Sequence, residues 1–467
     1  MRDLLGDRHF CGKMLRIAMP IAAQNLIASS LTLVDTVFIA GLGPTAVAAV
    51  GLANQVFFLF NLFLFGVCSG ASIFTAQFWG DRDVPNIRRV LGICLLSGTA
   101  AALFFFVLAL FFPGPVLRIY TRDGAVIAAG SRFLRIIAWS YVLTAVTFSY
   151  SFALRAVGRP VYPMIVSFLA FGLNTILNYL LIYGRAGLPR MGVAGSAAAT
   201  LTARTVEVLA TLGLVYGRRL VPAARLGELL SFSRSFVRCF YRTTLPVICN
   251  ESLWALGVTM FAVVYGRMGT EVIAAFNIYS TVEKLAMVLF FGLAQACAVM
   301  VGERIGAGEE GTAFRYARRF AVLGPVLGVF IGAATLAAGP AALGLFRVTG
   351  AVTALARLFM TVFALTIPIR IFNLINIVGI MRSGGDTRFS LFIDTAGLWL
   401  VAVPLSFLAG LVWRLAPIWV FALAALDEVI KFVVGIWRLV SGRWIHNLVR
   451  QMRGGEGTEA ARASAGG

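Results

Sequence analysis

Apolar residues run along this chain in long blocks, separated by short polar breaks rich in glycine and arginine. The blocks fall at roughly 14–40, 46–79, 90–112, 130–154, 161–184, 193–216, 243–267, 272–304, 318–343, 354–381, 389–412 and 416–441. Each offers about twenty or more largely uncharged residues, enough at about 1.5 Å per residue to cross a hydrocarbon core of about 30 Å. Lipid supplies no hydrogen-bond partners, so each backbone N–H and C=O must be paired within its own segment, which a helix does. A barrel would instead show strands of about ten residues with alternating polarity. The pattern predicts an all-α integral membrane protein with twelve transmembrane helices. The first block starts near Met14 without a short apolar core and cleavage site, so it is taken as a spanning helix and not a signal peptide.

Composition agrees with this pattern. The chain is 60% hydrophobic and 13% charged, against about a quarter charged in a soluble domain. A formal net charge of +20 could suggest a nucleic-acid partner, but the basic residues sit in connectors and no polar domain is left to carry a binding face, so none is expected. Their distribution is a topology signal. Arg82, Arg88, Arg89, Arg155, Arg159, the stretch Arg218 to Arg242, Arg304, Arg315, Arg318, Arg319, Arg382, Arg388 and the basic tail all fall on the side of the two termini. The positive-inside rule then places both termini in the cytoplasm of a multi-pass protein of the inner (plasma) membrane. Cys11, Cys68, Cys94, Cys239, Cys249 and Cys297 are scattered without a CxxC pair, and His9 and His446 lie near the chain ends. A disulfide framework, a zinc site and histidine chemistry inside the bilayer are therefore not expected.

The polar connector 217–242 divides the apolar sequence nearly in half and invites a search for a repeat. Sliding the chain by 226 residues sets Pro20 on Pro246, Gly43 on Gly269, Phe65-Gly66 on Phe291-Gly292, Gly80 on Gly306 and Arg89 on Arg315. With one more residue of shift, Leu154-Arg155 and Gly158 fall on Met381-Arg382 and Gly385. The expected organisation is an N-lobe over 1–216, the basic connector 217–242, a C-lobe over 243–441 and a cytoplasmic tail over 442–467, which is expected to be disordered from Arg450. With six helices in each half, the repeats are parallel and related by a pseudo-two-fold axis along the membrane normal. Transporters built this way bind substrate between their two halves.

Several stretches carry a resemblance: Val34 to Gly43 (VDTVFIAGLG), Ala46 to Gly51, Arg155-Ala156-Val157-Gly158, Asn174 to Gly184 (NTILNYLLIYG) and Gly192 to Thr200 (GVAGSAAAT). Gly266 to Ala275 and Arg382 to Thr387 repeat the theme weakly. In order, spacing and duplication, from about Met14 to Val440, the chain resembles the multidrug and toxic compound extrusion (MATE) family. The resemblance implies a monomeric exporter alternating between inward-open and outward-open forms around a cavity between its lobes. Inward protons or sodium would drive export of amphipathic organic cations, with no cofactor besides that ion.

Ionisable and amide residues inside apolar blocks are the candidate sites, because a central charge costs about 2.5–3.5 kcal/mol or more and must face a cavity or a partner. Asp35 shares nearly one face of the first helix with Gln24, eleven residues earlier, and matches the family aspartate whose protonation reshapes that helix. Asn174 and Asn178 are one turn apart on the fifth helix, where their amide oxygens are expected to face Asp35. Some relatives carry an aspartate where Asn178 stands, and its replacement leans towards proton coupling. Glu251, beside Asn250 and opposite Asn25 in the repeat, completes the expected cation-coupling set of Asp35, Asn174, Asn178 and Glu251. The branch of the family with a glutamate in this helix also has an aspartate in the tenth, where this chain has Arg370 and Asn373.

Gln24, Asn25, Thr200, Arg204, Glu207, Asn250, Glu283 and Asp394 are expected to line the substrate cavity. Each also has a plain structural reading. Arg204 and Glu207, spaced i, i+3, suit an internal ion pair; Glu283 next to Lys284 suits a salt bridge; Asp394, opposite Ser167 in the repeat, suits an interhelical hydrogen bond. Pro20, Pro246 and Pro368 are expected to bend their helices.

Two other functions stay open. A lipid-linked oligosaccharide flippase shares the two-lobed architecture, although such proteins place several arginines in the cavity and carry extra helices. A passive channel is not excluded by sequence. An enzyme or nucleotide-driven pump is disfavoured, since no GxSxG, HExxH or GxxxxGK[ST] motif is found.

Overall fold

The computed structural model describes residues 8–344 and 348–453; residues 454–467 of the expected disordered tail lie outside the described residues. Among them there is no β-strand. The helices follow the apolar blocks: α1 (Arg8–Ala40), α2 (Pro44–Gly80), α3 (Val84–Phe111), α4 in two limbs (Gly124–Ile137 and Trp139–Ala156), α5 (Val161–Tyr183), α6 (Val193–Gly217), α7 (Arg234–Met268), α8 (Thr270–Gly306), α9 (Glu310–Gly344), α10 (Gly350–Met381), α11 (Thr387–Val412) and α12 in two pieces (Pro417–Ala424 and Leu426–Val440). Short helices Pro113–Arg118 and Leu226–Leu229 lie in connectors. The protein is thus an all-α, multi-pass membrane protein of twelve helices.

Ten of these helices are individually long and apolar enough to span a bilayer, and the two limbs of α4, bent by 48° at their junction, make an eleventh. The twelfth is interrupted at Ala425, and neither piece is long enough alone. Asp427 and Glu428 occupy the first turn of its second piece, where the free N–H groups and the helix dipole favour negative charge. Large apolar side chains such as Leu33, Val37, Phe104, Leu365, Leu400 and Trp419 are exposed along the helices, as expected of surfaces solvated by lipid. Both α10 and α11 contain wider π-type turns, at Ile375–Met381, Gly397–Ala402 and Leu408–Val412. Such turns often lie near functional groups.

The helices form two compact units. Of the described residues, one unit, the N-unit, runs from Ala23 to Tyr241; the other, the C-unit, holds 8–22 and 242–453. The division passes through α1 after Ala22 and, at the end of the 217–242 connector, through α7 between Tyr241 and Arg242. That connector is also less extended than its polarity suggests, because α7 begins at Arg234. Phe236 and Phe240, one turn apart, stack on Phe78 and Phe74 of α2 within the N-unit, at centroid distances of 6.3 and 5.6 Å. Arg234, Arg238 and Arg242 point outward. The segment is an amphipathic helix whose charged face masked its apolar one.

Within the C-unit, the first limb of α1 lies against α8. A Cβ built on Gly292 would sit 2.6 Å from the carbonyl oxygen of Ala18 and 3.0 Å from the backbone nitrogen of Ala22. Only a glycine permits that approach. Gly195 of α6 does the same against the Leu181 carbonyl of α5 in the N-unit. Pro20, Pro246 and Pro368 all stand inside continuous helices.

Replacing Gly292 by Ala is expected to lower the melting temperature in detergent, because the clash is with backbone and overpacking costs about 1–3 kcal/mol. The control is Gly213→Ala on α6, where a Cβ meets nothing within 4 Å; it should be neutral or slightly stabilising. Equal melting of both variants would show that the α1–α8 approach does not depend on the missing side chain.

Candidate functional site

In the N-unit, polar residues from α1, α4, α5 and α6 form two linked groups. The outer group is a chain of amides leading to one acid. Asn178 donates from Nδ2 to Asp35 Oδ1 at 2.6 Å and to Asn174 Oδ1 at 2.8 Å, and Asn174 Nδ2 donates to Thr200 Oγ1 at 3.2 Å. The sequence pattern set Asn174 and Asn178 facing Asp35 and assigned Thr200 to the substrate cavity; Thr200 joins this group through Asn174, and the Asn178 group facing Asp35 is the amide nitrogen, not the oxygen. The reason is that an ionised carboxylate offers only acceptors. Asn174 and Asn178 are fully buried and Asp35 is half-buried. Tyr183 Oη, donating to the Phe38 carbonyl at 2.9 Å, ties the same ends of α1 and α5.

The inner group lies three turns away along α1, about two along α5 and one along α6, where Arg204 follows Thr200 by four residues. Arg155, at the end of α4, donates from Nη2 and Nε to Gln24 Oε1 at 2.6 and 3.1 Å. Gln24 Nε2 donates to Ser167 Oγ at 3.0 Å, and Ser167 donates to Glu207 Oε1 at 3.3 Å. Glu207 completes an ion pair with Arg204 at 2.6 Å, as its i, i+3 spacing predicted. Asn25 is half-buried and makes no side-chain hydrogen bond among the described residues; its carbonyl accepts from Ser29.

The C-unit repeats the inner group with different chemistry. Arg382 Nη1 donates to Glu251 Oε1 at 2.6 Å, and Asn250 Nδ2 donates to Asp394 Oδ2 at 3.0 Å. The Asn250–Asp394 contact is the repeat counterpart of Gln24–Ser167, whereas Arg382, opposite Arg155, meets the residue next along the helix, Glu251, which stands opposite Asn25. Asp394 Oδ1 then meets Lys431 Nζ at 2.9 Å, and the same ammonium lies 3.0 Å from Asp427 Oδ2. Further along α10, Arg370 pairs with Glu283 at 2.6 Å, while Asn373 Nδ2 donates to the Glu428 side chain and to its carbonyl, each at 2.8 Å. Lys284 is exposed. Asp427, Glu428 and Lys431 were not singled out from sequence. The signal was available, since three charges inside the apolar block 416–441 are as costly as Asp35 is in the first.

One distinction sorts the acids of the spanning helices. Glu207, Glu251, Glu283, Glu303, Asp394 and Asp427 each have a basic partner. Asp35 and Glu428 are held by amides, and neither is in an ion pair among the described residues. A carboxylate neutralised by a fixed arginine or lysine keeps its charge, whereas one held by neutral donors in an apolar setting can exchange a proton or bind a cation. Several buried amide oxygens, of Asn178, Asn250, Asn373 and Asn376, have no donor among the described residues, so unused acceptors lie close to both acids.

A protein-family model described as MatE matches residues 20–180 and again residues 246–408, starting at Pro20 and at Pro246, the first pair that the internal repeat superposes. A probable multidrug resistance protein NorM of Thermotoga maritima is 24% identical over 449 residues, 92% of this chain and 92% of that one. A probable multidrug resistance protein NorM of Bradyrhizobium diazoefficiens is 28% identical over 442 residues, 91% of this chain and 94% of that one. A solved structure described as the outward-facing conformation of a multidrug resistance MATE family transporter of the MOP superfamily has the same fold. It shares 18% identity at a TM-score of 0.82, over 92% of this chain and 96% of that one.

Arg382 and Glu251 are both largely buried. Arg382→Met leaves Glu251 without its counter-charge and is expected to destabilise the protein by about 3–5 kcal/mol. The double replacement Arg382→Met/Glu251→Met should recover most of that loss in a thermal melt. If the double variant melts as low as the single one, the arginine acts through packing and not through the ion pair.

Proposed function

This chain belongs to the MatE family, and on that premise we propose that it is a secondary active multidrug exporter of the bacterial inner membrane, with both termini cytoplasmic. It acts as a monomer and exchanges amphipathic organic cations for an inward cation by alternating access. The multidrug part of this reading is supported by the names of its relatives. The orientation is supported by the arginine-rich connectors on the side of the termini.

The coupling step is supported by one observation: Asp35 is a spanning-helix acid whose side-chain partner is the neutral amide of Asn178. When Asp35 is ionised, the Asn178 N–H group stabilises the charge; when it takes up a proton, that hydrogen bond weakens. An ion moves a conformational equilibrium only by binding one state better than the other, and the Asp35–Asn178–Asn174–Thr200 chain gives a change of charge at Asp35 mechanical partners on α5 and α6. A proton suits this site better than sodium, because the cluster supplies one carboxylate and neutral amides. Asn174 and Asn178 act in coupling by positioning Asp35.

The expected outcome is that Asp35→Asn folds and melts like the unaltered protein but loses at least about tenfold of its gradient-driven efflux, a barrier rise of about 1.4 kcal/mol or more. The measurement is efflux of a cationic dye from proteoliposomes under an imposed proton gradient and, separately, an imposed sodium gradient. Asn178→Leu should retain partial efflux with a displaced pH dependence. Undiminished efflux by Asp35→Asn at equal incorporation would remove that residue from coupling.

A further inference from the structure

The last helix of the C-unit carries Lys431 opposite Arg204 in the repeat; Arg204 pairs with Glu207 of its own helix, whereas Lys431 meets two acids, one of them on another helix. The geometry points to Lys431 as a tethered cation: its ammonium fills the site between Asp394 and Asp427 that a free monovalent cation would otherwise occupy, so the C-unit takes up no such ion there.

Three observations carry this. First, the two carboxylates come from different helices, Asp394 from α11 and Asp427 from α12, and converge on one nitrogen at 2.9 and 3.0 Å. Both acids and the lysine are largely buried, and two like charges in an apolar interior require a cation between them. Second, the site is shaped for the lysine stem. Gly397 opens a π-type turn of α11, and a Cβ there would lie 2.7 Å from Lys431 Cε and 3.3 Å from its Cγ. The glycine makes the slot along which the stem reaches the acids. Asp427, Lys431, Gly435 and Leu439 are the buried residues of this piece of α12, so the ammonium is presented from the inward face. Third, the other charges nearby are already engaged. Asp394 Oδ2 accepts from Asn250, Arg382 pairs with Glu251, Arg370 pairs with Glu283, and Glu428 accepts from Asn373. No second basic group is in an ion pair with Asp394 or Asp427 among the described residues.

A lysine ammonium is a compact point charge with three donors, and its neighbours here are oxygen acceptors of the kind that hold a small hydrated cation. Unlike such a cation it cannot leave. The inference rests on the Asp35 reading only for its consequence, which is that one exchangeable coupling ion enters through the N-unit and none through the acid pair of the C-unit.

The test is made in an Asp35→Asn background that carries Glu428→Gln throughout, which silences both amide-held acids and makes the result independent of coupling. Binding of radiolabelled sodium, and the melting temperature in sodium chloride against choline chloride, are measured on the purified protein. The background protein is expected to bind no sodium and to melt alike in both salts. Adding Lys431→Met should create sodium binding and a sodium-dependent rise of several degrees in melting temperature. Adding Asp427→Asn to that variant should abolish both. Sodium binding by the background protein that Asp394→Asn removes would overturn the inference. So would a folded Lys431→Met variant that binds no sodium. Should Lys431→Met fold only in sodium, the inference stands. Aggregation in both salts, while Lys431→Met/Asp427→Asn folds in either, would overturn it, because the bare acid pair would have recruited no cation.

Discussion

A charge on a membrane-spanning helix must be answered from inside the protein, and the arrangement of both helical units follows from how each such charge is answered. Water is absent from the bilayer core, so an unanswered carboxylate costs several kcal/mol. Six acids of the spanning helices meet an arginine or lysine, in pairs that tie α1 to α8, α7 to Arg382 at the end of α10, α8 to α10 and α11 to α12 or that lie within α6 and α12. These pairs brace the bundles, because removing either partner strands the other. Asp35 and Glu428 are answered by asparagine amides instead. An amide stabilises a charge without cancelling it, and this leaves the group able to change state. In the proposed exporter, rigid and exchangeable sites are thus separated by partner type.

The internal repeat makes the same point twice over with different side chains. Gln24 and Asn250 occupy equivalent positions and both donate across to the fifth helix of their half, to Ser167 in one and Asp394 in the other. Arg155 and Arg382 reach the same turn of the first helix of their half, meeting a neutral amide in one and a glutamate in the other. The scaffold of contacts has been kept while charge was redistributed. In the N-unit the inner group is balanced by Arg204 and Glu207, leaving Asp35 as the extra acid. In the C-unit the acids are more numerous, and Lys431 with its glycine-lined slot is what keeps them compatible.

Much of this was legible in the residues alone. Block length and the absence of alternation specify spanning helices, and the register of Pro20 on Pro246 gives the duplication that the two family-model matches share. Contacts within one helix face are also readable, which is why Arg204–Glu207 follows from spacing and why Gln24 and Asp35, eleven residues apart, both meet α5. Partners across helices are harder, because helical periodicity says which face a residue is on but not which neighbour that face meets. The Glu283–Arg370, Glu251–Arg382 and Asp394–Lys431 pairs lie beyond what spacing decides. Helix starts disguised by charge are hard for a related reason. The basic residues of 234–242 read as connector, yet Phe236 and Phe240 supply a buried stripe that extends α7.

The positions of the prolines connect the bracing pairs to the exchangeable acid. A proline inside a helix removes one N–H donor and frees the carbonyl one turn before it, so the helix bends most easily there. Pro20 and Pro246 stand in α1 and α7, the two helices through which the chain passes between the units, and in α1 that passage falls between Pro20 and Gln24. One turn beyond each proline the helix is held again, by Arg155 on Gln24 and by Arg382 on Glu251. The limb of α1 that carries Asp35 is consequently fixed at Gln24 and tied at its far end through Asn178 and Tyr183. In the proposed exporter, protonation of Asp35 weakens its bond to Asn178 and leaves Tyr183 as a side-chain tie at the far end, while Arg155 still holds the near one, so the motion proposed is a swing of that limb about Gln24 and not a displacement of the whole helix. In α7 the corresponding limb has no exchangeable acid at the repeat position of Asp35, where Phe261 stands. Two limbs anchored alike therefore differ in whether a proton can release them, and that difference is what makes one half of the duplicated fold the seat of coupling in the proposed exporter.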